Sequence, residues 1–173
     1  MPDMTSQREQ EIDIQALLVD IRNWSQELGF SDMGVSSVDL SQAEQQLMEW
    51  LDRGFHGSME YMQRHGHKRS RPGELVPGTL SILSLRMDYL PESQRQALQV
   101  LEDHDLAYVS RYALGRDYHK LIRRRLKQLA ERISTRLQGC AYRVFTDSAP
   151  VLEKPLASKA GMGWIGKHSN LLN

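Results

Sequence analysis

The 173-residue chain is 40% hydrophobic and 25% charged, which supplies one substantial core, so a single domain is expected. No run approaches the roughly 18 apolar residues of a membrane span, and the polar, acidic start MPDMTSQREQEID is unlike a signal peptide, so a cytoplasmic protein without membrane contact is expected. The single cysteine, Cys140, excludes an internal disulfide and any metal or cluster site ligated by cysteine alone.

Formal charges cancel, but unevenly. Residues 1–60 carry twelve Asp and Glu against three Lys and Arg, and residues 61–173 carry ten against nineteen. Either the two halves attract one another in the fold, or the basic half faces an anion such as nucleic acid.

In chain order, residues 1–12 read as a flexible terminus and 13–173 as the domain. From Asp13, Leu17, Leu18, Ile21, Trp24 and Leu28 recur at helical spacing and Gly29 follows as a stop, giving an amphipathic helix. Met33 to Val38 reads as a short strand, and Ser41 as the cap of a second helix running to Gly54. Met59, Tyr61 and Met62 suggest a short helix. His65, His67, Lys68, Arg69 and Arg71 then form a basic cluster in a loop closed by Pro72-Gly73 and Pro77-Gly78. No Cys or carboxylate cluster completes a metal site around the two histidines, so the loop is either solvated or set near phosphate.

Leu80 to Tyr89 has apolar residues on both alternating faces, as an interior strand covered on both sides would. A third helix is expected around Ser93 to Leu101. The clearest helix follows, capped by Asp117, with Ile122, Leu126, Leu129, Ile133 and Leu137 on one face and Gly139 at its end. Its other face shows Lys120, Arg123, Arg124, Lys127 and Arg136, which suits either solvent or a nucleic-acid backbone. Arg111 and Tyr112, in the loop before it, have the groups to bind an anionic cofactor or stack on a base.

Tyr142 to Thr146 reads as a strand with Asp147 at its carboxyl end, where ligands gather in open α/β sheets; the alternative is a turn or capping Asp. Pro150 fits the first turn of a helix that Pro155 would shorten or kink. Gly161-Met162-Gly163-Trp164-Ile165-Gly166 matches GxGxxG, yet it follows a helix and no helix succeeds it, so dinucleotide binding is rejected. These glycines instead allow close backbone approach to a flat ligand, with Trp164 as an apolar wall and Lys167 and His168 as polar contacts. On this reading the fold class is α/β, with α+β as the alternative and a mixed sheet flanked by helices.

The segments RPGELVPGTLSILSLRMDYLP, SRYALGRDYHKLIRRRL and FTDSAPVLEKPLASKAGMGWIGKHSNLLN resemble the N-terminal domain of bacterial epoxyqueuosine reductases, a similarity spanning about Ile14 to Asn173. The resemblance implies a cobalamin-binding domain akin to nitroreductase and reductive dehalogenase folds. It also implies the last step of tRNA queuosine formation, in which 4Fe-4S clusters pass electrons to the corrin cobalt. Asp147 of the DSAP block matches the family's proposed proton donor. For that role its carboxyl must hold a proton near neutrality, which burial would favour and a helix N-terminus oppose.

Arg71, Arg111, Tyr112, Lys159, Gly161, Trp164, Gly166, Lys167, His168 and Asn170 match positions expected to line the cobalamin, with Asp147 facing it. Lys154, Arg123, Arg124 and Lys127 are the expected tRNA contacts. The family continues into cysteine-rich iron-sulfur and helical domains whose ligands this chain lacks, so electrons are expected to come through that missing part and the chain alone to be inactive. A monomer is expected. A non-catalytic RNA-binding or assembly module, needing the basic face but neither Asp147 nor the glycine turn, is the alternative.

Overall fold

The computed structural model describes residues 12–89 and 94–173. Of the flexible terminus expected at residues 1–12, only Ile12 lies among them. Helix α1, Ile14–Glu27, begins at Asp13, whose carboxylate accepts the N–H groups of Gln15 and Ala16. Strand β1, Asp32–Ser37, leads to helix α2, Ser41–Asp52. Ser41 does not cap α2: Leu40 holds that position, and the Ser41 N–H donates to the Asp39 carboxylate instead. A negative charge ahead of the first turn serves the unpaired N–H groups better than a hydroxyl.

The basic loop contains only tight structure. A single 3-10 turn covers Glu60–Met62 where a helix is expected, a second covers Gly66–Arg69, and the short helix α3, Pro72–Leu75, opens on its proline. Strand β2, Ser81–Arg86, pairs antiparallel with β1 from Asp32 opposite Arg86 to Ser37 opposite Ser81. Helix α4 spans Gln94–Glu102, while its expected start at Ser93 is outside the described residues. Helix α5 spans Tyr118–Arg136, with Asp117 accepting the His119 N–H as the sequence predicts.

Helices cover both faces of the β1–β2 pair. Met33 joins Leu17, Ile21 and Leu129 in the main core, with Leu83 and Leu85 of β2 packed on it, so α1 and α5 lie on that face. The next residue, Gly34, points the other way and meets the end of helix α6, Glu153–Lys159; a Cβ there would collide with the Ala160 carbonyl and Cβ. Strand β2 is thus covered on both sides, as its composition predicts, but among the described residues it pairs with β1 alone.

Two corrections concern the C-terminal third. Tyr142 to Thr146 forms no strand: only Thr146 is buried, and no described strand pairs with it. Consequently the chain has two small antiparallel sheets among the described residues instead of a mixed sheet, the second pairing β3, Trp164–Ile165, with β4, Leu171–Leu172. Helix α6 starts at Glu153, not Pro150; it is short, 7 residues, as expected, and Pro155 sits in its first turn, where a missing N–H costs nothing.

Candidate functional site

The site forms where the N-terminus of α5 meets the turn after Thr146. Asp147 stands there in the left-handed region, φ 51°, which Asp tolerates better than most residues and which marks a constrained position. The Tyr118 hydroxyl donates to Asp147 Oδ2 at 2.5 Å, and the Asp147 N–H donates to Glu153 Oε1 at 3.1 Å. Arg123, one turn into α5, donates to the Ser148 hydroxyl at 2.8 Å. Three contacts therefore fix a turn that no β-ladder supports.

His119 completes the group. Its Nδ1 lies 3.1 Å from Asp117 Oδ1 and its Nε2 3.8 Å from Asp147 Oδ2. The Tyr118 and His119 rings stack with centroids 4.0 Å apart, and Tyr112 meets Tyr118 edge-on at 5.9 Å. The hydrogen bond to Asp147, reinforced by lost hydration and the carboxylate charge, pushes the Tyr118 phenol up to about 12. Burial and the Asp147 charge raise Glu153 above the ordinary carboxyl range. At Asp117 lost hydration acts upward, but the His119 hydrogen bonds outweigh it and hold the carboxyl below its usual value. Beneath the turn, the buried Thr146 Oγ1 has no hydrogen-bond partner among the described residues.

The glycine-rich segment is a hairpin on the far side of α6, so a helix precedes it and a strand follows, which is not the order a dinucleotide site requires. Gly163, φ 147°, is needed for closure, since a Cβ would overlap the Leu172 carbonyl. Gly161 instead faces open space. Beside it Trp164 and Ile165, consecutive in β3 and so on opposite faces of the hairpin, expose 59% and 43% of their surface. The Lys154 ammonium holds the hairpin tip, donating to the Ser169 carbonyl at 2.8 Å and Asn170 Oδ1 at 3.1 Å. His168 Nδ1 accepts the Asn170 N–H, and Lys167 is exposed.

The other expected site residues divide. Arg111 and Tyr112 form a 3-10 turn, Arg111–Ala113, and Tyr112 reaches the Asp147 cluster through Tyr118. Arg71 is committed elsewhere, gripping Glu44 at 2.7 Å and Glu74 at 3.0 Å. Lys159 donates to the Asp39 carbonyl at 2.5 Å and lies 3.7 Å from its carboxylate. Of the expected nucleic-acid contacts, Lys154 is engaged in the hairpin, Lys127 lies 3.7 Å from Glu131, and Arg124 has no carboxylate partner among the described residues. Tyr118 and His119 escape the sequence reading, although both follow the capping Asp117 directly.

Known proteins match this chain closely. The family model described as epoxyqueuosine reductase QueG, DUF1730, matches residues 69–148. Epoxyqueuosine reductase of Pseudomonas aeruginosa is 60% identical over 153 residues, 88% of this chain and 42% of that protein. The structure of epoxyqueuosine reductase from Streptococcus thermophilus superposes with a TM-score of 0.75 at 21% identity, over 94% of this chain and 42% of that one. A crystal structure of epoxyqueuosine reductase with a tRNA-Tyr epoxyqueuosine-modified stem loop gives 0.71 at 20% identity, over 91% and 41%. The chain thus spans about two-fifths of the length of the curated relatives it matches, and along nearly all of its own length it resembles epoxyqueuosine reductases in sequence and in its mixture of helices and small sheets. No described helix is long and apolar enough to cross a membrane.

Proposed function

We infer that this chain is part of an epoxyqueuosine reductase, the part that presents an acid to the modified base of tRNA and would hold the cofactor beside the glycine-rich hairpin. The whole enzyme would reduce epoxyqueuosine in tRNA to queuosine in the cytoplasm. The observation that carries this reading is Asp147, held in a left-handed turn between Tyr118 of α5 and Glu153 of α6, at the position that the sequence resemblance matches to the family's proton donor.

The residues present suit a corrin. Trp164 offers an exposed apolar surface, Gly161 leaves room for close approach, and Lys167 and His168 would supply polar contacts at the rim. Arg111 and Tyr112 flank the Asp147 side. When bound, cobalamin supplies the electrons that open the epoxide carbon–oxygen bond. Cys140 is the sole cysteine, so iron-sulfur ligands would come from outside this segment.

The chain's own contribution is protonation. The Tyr118 hydroxyl, donating to Asp147 Oδ2, would hold the carboxyl group in place for that step. A proton delivered by Asp147 would neutralise the alkoxide left by ring opening, a role worth roughly 100- to 10,000-fold in rate for a well-placed acid. Arg123 and Ser148 keep the turn against α5 while the anticodon base is seated. Arg124, Lys127 and neighbouring basic residues of α5 would meet the tRNA backbone, with Lys154 acting indirectly by shaping the hairpin.

Two measurements test the reading. Titrating the chain with cob(II)alamin should change its visible spectrum saturably, and Trp164→Ala should weaken binding at least about tenfold, as loss of one large apolar contact does. In the complete enzyme Asp147→Asn should abolish queuosine formation while tRNA binding persists. Retained turnover in that variant would refute the assignment of the acid. A folded chain that binds tRNA but never a corrin would favour the RNA-binding module.

A further inference from the structure

We propose that His119, oriented by Asp117, restores the proton that Asp147 gives up, making the Asp117–His119 pair a relay from solvent to the acid. The proposal rests on the reading of Asp147 as proton donor and concerns how that donor is recharged.

The balance of the reaction calls for such a device. Conversion of an epoxide to an alkene and water consumes two electrons and two protons: one carbon–oxygen bond opens to an alkoxide, and the oxygen then departs as water. The electrons come from the low-potential donor that the reductase reading requires. On the reading above Asp147 gives the first of these protons, and a carboxyl group holds one proton at a time. For Asp147 to give the second proton as well, it has to be recharged within each turnover.

The geometry points to His119 as its source. Nδ1 at 3.1 Å from Asp117 Oδ1 fixes the tautomer with hydrogen on Nδ1 and leaves Nε2 toward Asp147 Oδ2. At 3.8 Å that approach is longer than a hydrogen bond, but catalytic hydrogen bonds in empty sites commonly tighten when the site is loaded. The stacked Tyr118 ring, itself tied to Oδ2, keeps the imidazole in this plane. With 43% of its side chain exposed, His119 can take a proton from water, pass it through Nε2–H to Oδ2, and return to neutral. The Asp117 carboxylate stabilises the transient imidazolium.

The charged and titratable groups around His119 come from each packed element. Asp117, Tyr118 and Lys120 belong to the start of α5, Arg123 lies one turn further on, Asp147 belongs to the turn, and Glu153 comes from α6. Within hydrogen-bond distance of the ring nitrogens, the described residues provide only Asp117. His119 is thus a positioning residue that acts through Asp147, and no role in folding follows from its half-exposed ring.

The decisive experiment follows queuosine formation by the complete, cofactor-loaded enzyme from about pH 5 to 9, a range that brackets the ordinary histidine titration. His119→Ala should turn over roughly 10-fold slower or worse and lose the ionisation limb attributable to histidine; added imidazole should recover much of the rate, because a diffusible base fills the vacated space. His119→Gln keeps a hydrogen bond to Asp117 but cannot titrate, so it should be as slow as the alanine variant if the relay operates. In the chain itself, nitrogen-15 spectra should show the His119 Nδ1–H tautomer, lost in Asp117→Asn. A normal rate and pH profile in both His119 variants overturns the relay, as does a slow variant that imidazole does not rescue. Asp147→Asn separates the two ideas, since its activity bears on the acid assignment alone.

Discussion

At the residue scale, the contact between Tyr118 and Asp147 is the most exacting feature. A phenol raised to about 12 by a carboxylate acceptor should ionise later than an ordinary tyrosine. Asp147→Asn should return it toward the ordinary value of roughly 10, visible as an earlier tyrosinate absorbance rise in an alkaline titration; an unchanged curve would mean the hydrogen bond does not form in solution. The sign for stability follows. The folded phenol holds its proton more tightly than the unfolded one, so the contribution is complete below about pH 10 and fades as pH climbs toward 12. Nothing in the sequence marks Tyr118, since a Tyr directly after a helix cap usually serves only packing. The partner that gives it meaning lies 29 positions away.

At the element scale, the legible parts are those whose pattern is local. The periodicity of α1 and α5 and the caps at Asp13 and Asp117 are written in neighbouring residues, and the structure keeps them. The misreadings, a strand at Tyr142 to Thr146 and a helix from Pro150, concern segments whose conformation is set by distant contacts, such as the Leu152 N–H donating to the Arg69 carbonyl at 3.0 Å. The same contrast sets stability. Leu129 exposes only 1% of its surface at the junction of α1, α5 and β1, so Leu129→Ala should cost about 2–5 kcal/mol in urea unfolding. Gly34→Ala would push α6 off β1 and should cost about 1–3 kcal/mol.

The basic loop is anchored differently. Glu44 of α2 accepts from Arg71 and from the Ser70 hydroxyl, and these bonds, against some loss of hydration, hold its carboxyl at about 2. A carboxyl held that low in the folded state stabilises above its unfolded value of 4.5 and loses that contribution as pH falls toward 2. Thermal melts between pH 5 and 2 should therefore drop less steeply for Glu44→Gln than for the wild type. Equal slopes would place the acid sensitivity elsewhere.

At the scale of the whole molecule, the charge asymmetry has a partly internal destination. Arg132 meets Glu27 at 2.6 Å, Arg136 approaches Asp20 at 3.8 Å, and Arg71 and Lys159 meet Glu44 and Asp39, so each pair joins the acidic half to the basic half. Exposed pairs of this kind contribute little stability, typically below about 1 kcal/mol each, but they remove four cations from the set that could face RNA. On the described part of α5, Lys120, Arg123, Arg124 and Lys127 remain toward the end that carries the Asp147 turn. If this face holds the tRNA backbone, affinity should fall steeply with salt, and Arg124→Ala should lower the slope of log K against log salt by about one unit while weakening all stem loops alike. Arg132→Ala, whose guanidinium is spent on Glu27, should leave the slope unchanged. Equal slopes in wild type and Arg124→Ala would move the tRNA to another surface, and the basic face of α5 would then serve mainly to balance the acidic half of the chain.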